Sequence, residues 1–204
     1  EGYIKDFLAA STILNMSSIF LGISFLTKNS ITAALYCLIV YMISNFALWS
    51  AFMLFVRNIR KEPVKSRYGR IIRMEENLAS IKGIAYISPS FAFLTTVCLL
   101  SLAGIPLTAG FASKFYLFSE ILRSGIWAVY PLLFAAISAI IAAYCYFKLI
   151  SYMFSKPENL RIYKKELLFN RLNVYTFILS ITAVSLIVLF FIGVFVLEML
   201  NKIV

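Results

Sequence analysis

SLAGIPLTAGFASKFYLFSE, residues 101–120, decides how this chain folds. It lies in one of the most apolar parts of the sequence, yet it holds Gly104, Pro106, Gly110 and Lys114. Pro106 has no N–H and its ring clashes with the preceding helical turn, and it pushes Ile105 out of helical geometry. Gly104 and Gly110 weaken a helix on either side, while Thr108 is placed to cap a new helix that begins near Ala109. The stretch predicts a helix that stops near 104–108 and restarts, with Lys114 just beyond the break.

Such a break has consequences in lipid. Each unpaired backbone group there costs several kcal/mol, so the freed N–H and C=O groups must face protein or a hydrated cavity. Lys114 lies two turns in from Leu107 and about 12 Å short of the far end of its span at 1.5 Å per residue. A lysine at that depth costs about 2.5–3.5 kcal/mol on insertion scales. Burial disfavours the charged form of an amine and a nearby carboxylate favours it, so such a group can be poised to gain and lose a proton. Unwound backbone beside a buried ionisable residue is a transporter pattern. The plainer alternative is a proline kink with a lysine reaching for the interface. Lysines that do so stay within about two turns of a helix end, and Lys114 stands at that limit.

The rest of the sequence agrees with a lipid setting. Of 204 residues 62% are hydrophobic and 14% charged, with a mean hydropathy of +0.90. A soluble domain averages about 45–50% apolar and about 25% charged. No arginine-rich or short cleavable leader precedes the first apolar run, so the runs read as permanent spans. A start at Glu1 rather than Met leaves processing, a missing start or an upstream partner open. The absence of histidine excludes imidazole catalysis, histidine-ligated haem and most zinc chemistry within the chain. Cys37, Cys98 and Cys145 fall inside apolar runs without a pairing motif and read as small packed residues.

About 20 apolar residues cross a bilayer as a helix. Residues 7–26, 31–56, 126–154 and 173–198 each fit one crossing, and 89–122 is too long for one straight span. The charges decide whether that run crosses once or turns back. The loops 57–88 and 155–172, with Lys5, hold fourteen basic residues if both lie on one side, against Lys28, Arg123 and Lys202 on the other. A hairpin in 89–122 would erase this asymmetry, so a single crossing, broken near 104–108, follows. The expected architecture is an all-α integral membrane protein in one domain: five crossings, the third discontinuous, with the N-terminus and both basic loops on the positive side. The segment MEENLASIKGIAYISP, 74–89, reads as a short surface helix in the first loop. Clustering of the +10 net charge in these loops sets orientation, and nucleic acid is not an expected partner.

Other polar residues are weighed against that frame. Lys148, six residues before Phe154, either reaches the basic side or joins a proton route. Glu120 and Glu198 sit near span ends as interfacial groups. Asn15, Ser17 and Ser18 in the first span, and Ser44, Asn45 and Ser50 in the second, line water or bond between helices, the second being commoner. Tyr144, Tyr146 and Tyr152 read as an interfacial belt sooner than as a relay.

The residues 99–118, LLSLAGIPLTAGFASKFYLF, resemble the broken helix of the antiporter-like membrane subunits of respiratory complex I. The family pattern S-L-x-G-I-P-x-x-x-G-F-x-x-K-F is matched at Ser101, Leu102, Gly104, Ile105, Pro106, Gly110, Phe111, Lys114 and Phe115. The Lys-Phe-Tyr ending resembles the subunit 2 branch, called subunit N in bacteria. Segments 9–23, 76–89 and 142–154 resemble the same family more loosely, with Ser17 where a glycine is usual. The resemblance covers nearly the whole chain but implies only the last five of the family's fourteen helices.

What it implies is a membrane-arm subunit of a proton-pumping NADH:ubiquinone oxidoreductase. Lys114 would carry protons in the half-channel toward the outer side, beside a break formed by Gly104, Pro106, Thr108 and Gly110, with Lys148 as a further relay candidate. No cofactor is expected on this chain; NADH, FMN, iron–sulfur clusters and ubiquinone would belong elsewhere in the complex. Expected partners are other membrane-arm subunits, including whatever polypeptide supplies the upstream helices, and lipids such as cardiolipin at the clustered arginines. A bias toward Phe, Tyr, Ile, Leu, Ser and Lys with only eight Gly points to the mitochondrial inner membrane over a bacterial one. A cation/proton antiporter or membrane hydrogenase subunit of the same fold, or a scaffold that carries no protons, are the alternatives.

Overall fold

The computed structural model describes residues 4–59, 64–65, 71–72, 81–156 and 165–203. Helix α1, Ile4–Ser24, is followed by a tight turn and α2, Lys28–Ile59. The turn holds Leu26 at φ 53°, and the Thr27 hydroxyl accepts from the Ser30 N–H at 3.2 Å, capping α2. Among the described residues the strands are the two-residue pieces Val64–Lys65 and Ile71–Ile72, antiparallel to one another. The surface helix expected over 74–89 is found as α3, Ile84–Ile87; residues 73–80 lie outside the described residues. It ends at Ser88, whose extended backbone is what a residue before proline adopts.

Pro89 then opens α4, Pro89–Ala103, at the one helical position where a missing N–H costs nothing. After the break come α5, Ala109–Arg123, a single 3-10 turn at Ile126–Ala128, α6, Val129–Phe154, and α7, Lys165–Ile203. Helix α7 takes in Lys165–Leu172 of the stretch expected as loop. A helix can continue through charged residues past the apolar zone because its backbone bonds are internal.

Among the described residues three helical stretches are long and apolar enough to cross a membrane: Lys28–Phe52, Ile126–Phe154 and Thr176–Ile203. Ala9–Ser24 and Pro89–Ala103 are apolar but shorter. The fold is thus an all-α membrane fold with a discontinuous third helix.

Helix α2 is the axis of the bundle. It packs against α7, α5, α4 and α1, and α4 in turn packs against α6 and α7. Apolar burial gives helices little reason to associate in lipid, so close packing through small residues must do it. The buried set shows this: Ala33, Ala34, Ala47 and Ala51 on α2, Ala92 and Ser101 on α4, Ala109 on α5 and Ala142 on α6. Helices α6 and α7 present outward faces of large apolar residues such as Phe134, Ile140, Phe177 and Phe191.

Candidate functional site

Gly104 ends α4 in the left-handed conformation, φ 79° and ψ 45°. Its N–H reaches the carbonyls of Leu100 and Ser101 at 3.1 and 3.0 Å, and the Ile105 N–H also reaches Leu100 O, at 3.2 Å. This is the glycine-terminated closure that satisfies the last carbonyls of a helix. Pro106 sits in the turn, Leu107 takes φ 73°, and Thr108 restarts the helix. The Thr108 hydroxyl accepts from the Phe111 N–H at 3.3 Å and donates to Ile105 O at 2.7 Å. The unwound backbone is therefore satisfied largely within the break itself.

The two half-helices meet backbone to backbone at Ser101 and Gly110. The Gly110 N–H donates to Ser101 Oγ at 3.2 Å, and a Cβ on Gly110 would lie 1.7 Å from the Ser101 carbonyl oxygen. Ser101 Oγ also lies 3.4 Å from Ser44 Oγ, which ties the crossing to α2.

Lys114, one turn past Gly110, is half-buried, and its side chain runs back toward the break, the direction helical side chains lean. Its Nζ donates to Leu102 O at 2.7 Å. That carbonyl is one of the last four of α4, left without an intrahelical partner and sited at the negative end of the helix dipole. The stem passes over Gly104, where an added Cβ would stand 3.3 Å from Lys114 Cδ. Among the described residues no carboxylate pairs with Lys114. Glu120 instead pairs with Arg123 at 2.7 Å. The Cys37 thiol of α2 neighbours Ser113 and Lys114.

Lys114 also borders a cavity of about 10 Å³ among α1, α5 and α6, lined also by Asn15, Ser18, Phe118, Ser138 and Ala139. About 10–15 Å³ is what one water needs.

Gly104, Pro106, Thr108, Gly110 and Lys114 thus form one constellation. Lys148 does not join it, being exposed on α6. Ser101 and Leu102 match the family pattern, but no role for the Ser101 hydroxyl or the Leu102 carbonyl follows from the sequence. Ser101 is nine residues from Gly110, a spacing that carries no helical signal once the helix is broken, and any residue supplies a carbonyl. Tyr146 is buried rather than interfacial, bonded to Ser11 and Asn15, whereas Tyr144 is exposed.

A broken membrane helix with a lysine just past the break is a pattern found in transporter-type membrane proteins. Residues 2–142 match the family model described as NADH:quinone oxidoreductase/Mrp antiporter, TM, and the chain belongs to that family. Similar proteins include NADH-quinone oxidoreductase subunit N of Wolbachia sp. subsp. Brugia malayi, 30% identical over 80% of this chain and 32% of that protein. Subunit N 2 of Solibacter usitatus is 31% identical over 76% of this chain and 28% of its own length. Subunit N of Cytophaga hutchinsonii is 39% identical over 41% of this chain and 18% of its own length. The chain spans about a third of the length of the curated relatives it matches. Among solved structures, a chain of respiratory complex I from Thermus thermophilus with bound Aureothin superposes with a TM-score of 0.56 at 20% identity, covering 93% of this chain and 44% of that one. That likeness shows the fold.

Proposed function

We propose that the chain forms part of a membrane-arm subunit of a proton-pumping NADH:ubiquinone oxidoreductase and supplies the outer half of a proton path through Lys114. The observation that carries this is the 2.7 Å bond from Lys114 Nζ to Leu102 O across the helix break. A neutral carbonyl can accept from an amine as well as from an ammonium, though more strongly from the ammonium. Loss of the proton then strands no buried counter-charge, whereas an ion pair broken in a low dielectric is strongly unfavourable. Lys114 can cycle between both forms with one partner held fixed.

In this reading the chain carries no cofactor, and NADH, FMN, iron–sulfur clusters and ubiquinone act in other subunits. The helices that complete the longer relatives stand upstream, on this polypeptide or another. Lys148, exposed on α6, takes part only through a neighbouring polypeptide. The basic loops sit on the matrix side of the mitochondrial inner membrane, where cardiolipin suits their arginines; composition favours that membrane, while the relatives named above are bacterial.

The test is Lys114→Met in the intact assembly, with proton pumping measured against electron transfer. Pumping should be lost while assembly is kept. Parental rate and stoichiometry would make the chain a scaffold. The family's own description joins quinone oxidoreductases with Mrp antiporters, so a cation/proton antiporter or membrane hydrogenase subunit is the second reading. Co-purification with quinone-binding and redox subunits separates the two.

A further inference from the structure

The cavity beside Lys114 has a wall whose orientation can be derived. Asn15 Nδ2 donates to the Ser11 carbonyl and to Tyr146 Oη, both at 2.9 Å. A carbonyl only accepts, so the nitrogen, not the oxygen, of the amide must face Ser11. Flipping the amide would set two acceptors against each other. Tyr146 Oη accepts from Asn15 and also bonds Ser11 Oγ, either of them donating. Both amide hydrogens are thereby spent away from the cavity. Asn15 Oδ1 is left as the acceptor that Asn15 can offer, and Asn15 lines the cavity together with Lys114.

The positions of these groups along the bundle follow from packing. Gly22 of α1 lies against Leu117 of α5, one turn past the level at which Ser18 and Lys114 share the cavity, so α1 and α5 run the same way. Helix α6 runs the opposite way, because Ser138, Ala139 and Ala142 line the cavity and Tyr146 follows one turn on, toward Phe154 and Lys156. The end of the first basic loop docks there too, with the Gly83 N–H on Tyr152 O at 3.3 Å. The cavity, with Asn15, Tyr146 and Ser11 behind it, thus approaches Lys114 from the side of the basic loops and away from Arg123.

We propose that Asn15, locked by Tyr146 and Ser11, is the fixed acceptor of a single-water site shared with Lys114. The water donates to Asn15 Oδ1 and accepts from Lys114 Nζ, whose other bond goes to the Leu102 carbonyl. When the ammonium releases a proton, one N–H bond breaks and one O–H bond forms on this water, while another of its O–H bonds breaks to pass a proton to a second water beyond the cavity, and uptake reverses the step. Asn15 carries no proton; it positions the water. Tyr146 positions Asn15. This deepens, and rests on, the reading of Lys114 as a proton-exchanging group.

Three substitutions in the intact assembly, reconstituted in vesicles, test it. Asn15→Leu removes the acceptor, Ala139→Val fills the cavity without touching a hydrogen bond, and Tyr146→Phe keeps the ring while removing one of the two bonds that hold the amide, leaving the Ser11 carbonyl. The first two should lower proton flux about tenfold or more, within what a positioned proton-transfer partner contributes. Tyr146→Phe should lower it less and raise the solvent deuterium isotope effect, which a purely structural role would leave unchanged. A map of the parent assembly that resolves ordered water should show one within hydrogen-bond distance of Lys114 Nζ and Asn15 Oδ1. If assembled Asn15→Leu and Ala139→Val pump at the parental rate while Lys114→Met does not, the water site is overturned and the role of Lys114 stands. If Lys114→Met also pumps normally, the functional reading fails, and the map alone decides the water: present upholds the site, absent overturns it. The map decides likewise if a variant fails to assemble.

Discussion

Gly110 meets Ser101 where the two halves of the broken helix cross: its N–H donates to Ser101 Oγ at 3.2 Å, and a Cβ there would lie 1.7 Å from the Ser101 carbonyl oxygen. The obstacle is backbone, which cannot rotate away as a side chain would. Gly110→Ala must separate α4 from α5, at about 1–3 kcal/mol for an overpacked core site. A lower melting temperature of the purified assembly is expected, together with loss of pumping, because the same shift carries Lys114 away from Leu102.

Gly104→Ala tests the other side of the break. The substitution puts a side chain at φ 79°, costing about 1–2 kcal/mol, and presses a methyl onto the Lys114 stem, 3.3 Å from Cδ. Pumping should fall further than the change in melting temperature accounts for. Equal losses would mean that the stem contact is incidental.

Leu107 should behave oppositely. It holds φ 73° with an exposed side chain, so the residue gives up conformational energy and recovers little packing. Leu107→Gly is expected to leave pumping intact and raise stability by up to about 1 kcal/mol, less the entropy a glycine adds to the unfolded chain. Destabilisation on heating would show that Leu107 packs against a neighbour.

Lys114→Arg separates charge from proton exchange. A guanidinium can still donate to the Leu102 carbonyl, so assembly should stay near the parental level. Its charge is fixed at any working pH. Pumping should therefore fall nearly as far as in Lys114→Met. Retained pumping would show that Lys114 need never discharge.

The orientation has its own test. Single cysteines at Lys65 and Lys156 should react with a membrane-impermeant reagent from one side, and one at Lys28 from the other. Labelling of Lys65 and Lys156 from opposite sides would mean that α4 and α5 form a hairpin rather than one crossing.

The location of the break was readable because it is written in local chemistry. Proline without an N–H, glycine able to adopt positive φ and threonine able to cap each act within a few residues, and α4 and α5 end and begin at Ala103 and Ala109 accordingly. The second span was readable from its run of apolar residues. The apolar run did not locate the start of α7, since a helix beyond the apolar zone has no hydropathy to mark it. Tyr146 could not be told from Tyr144 by position alone: both lie near the end of α6, and only the presence of α1 on one flank makes one buried and the other exposed.

By itself the sequence determined that this chain lives in lipid, where its third helix breaks, and that an amine stands just past the break, because composition, backbone restriction and helix capping are properties of neighbours in the chain. Only the tertiary structure decided what the amine touches. The Leu102 carbonyl, Asn15 and the small cavity are brought to Lys114 from three different helices, and hydrogen bonds between residues that far apart in sequence depend on how the bundle closes, which no short stretch of residues encodes.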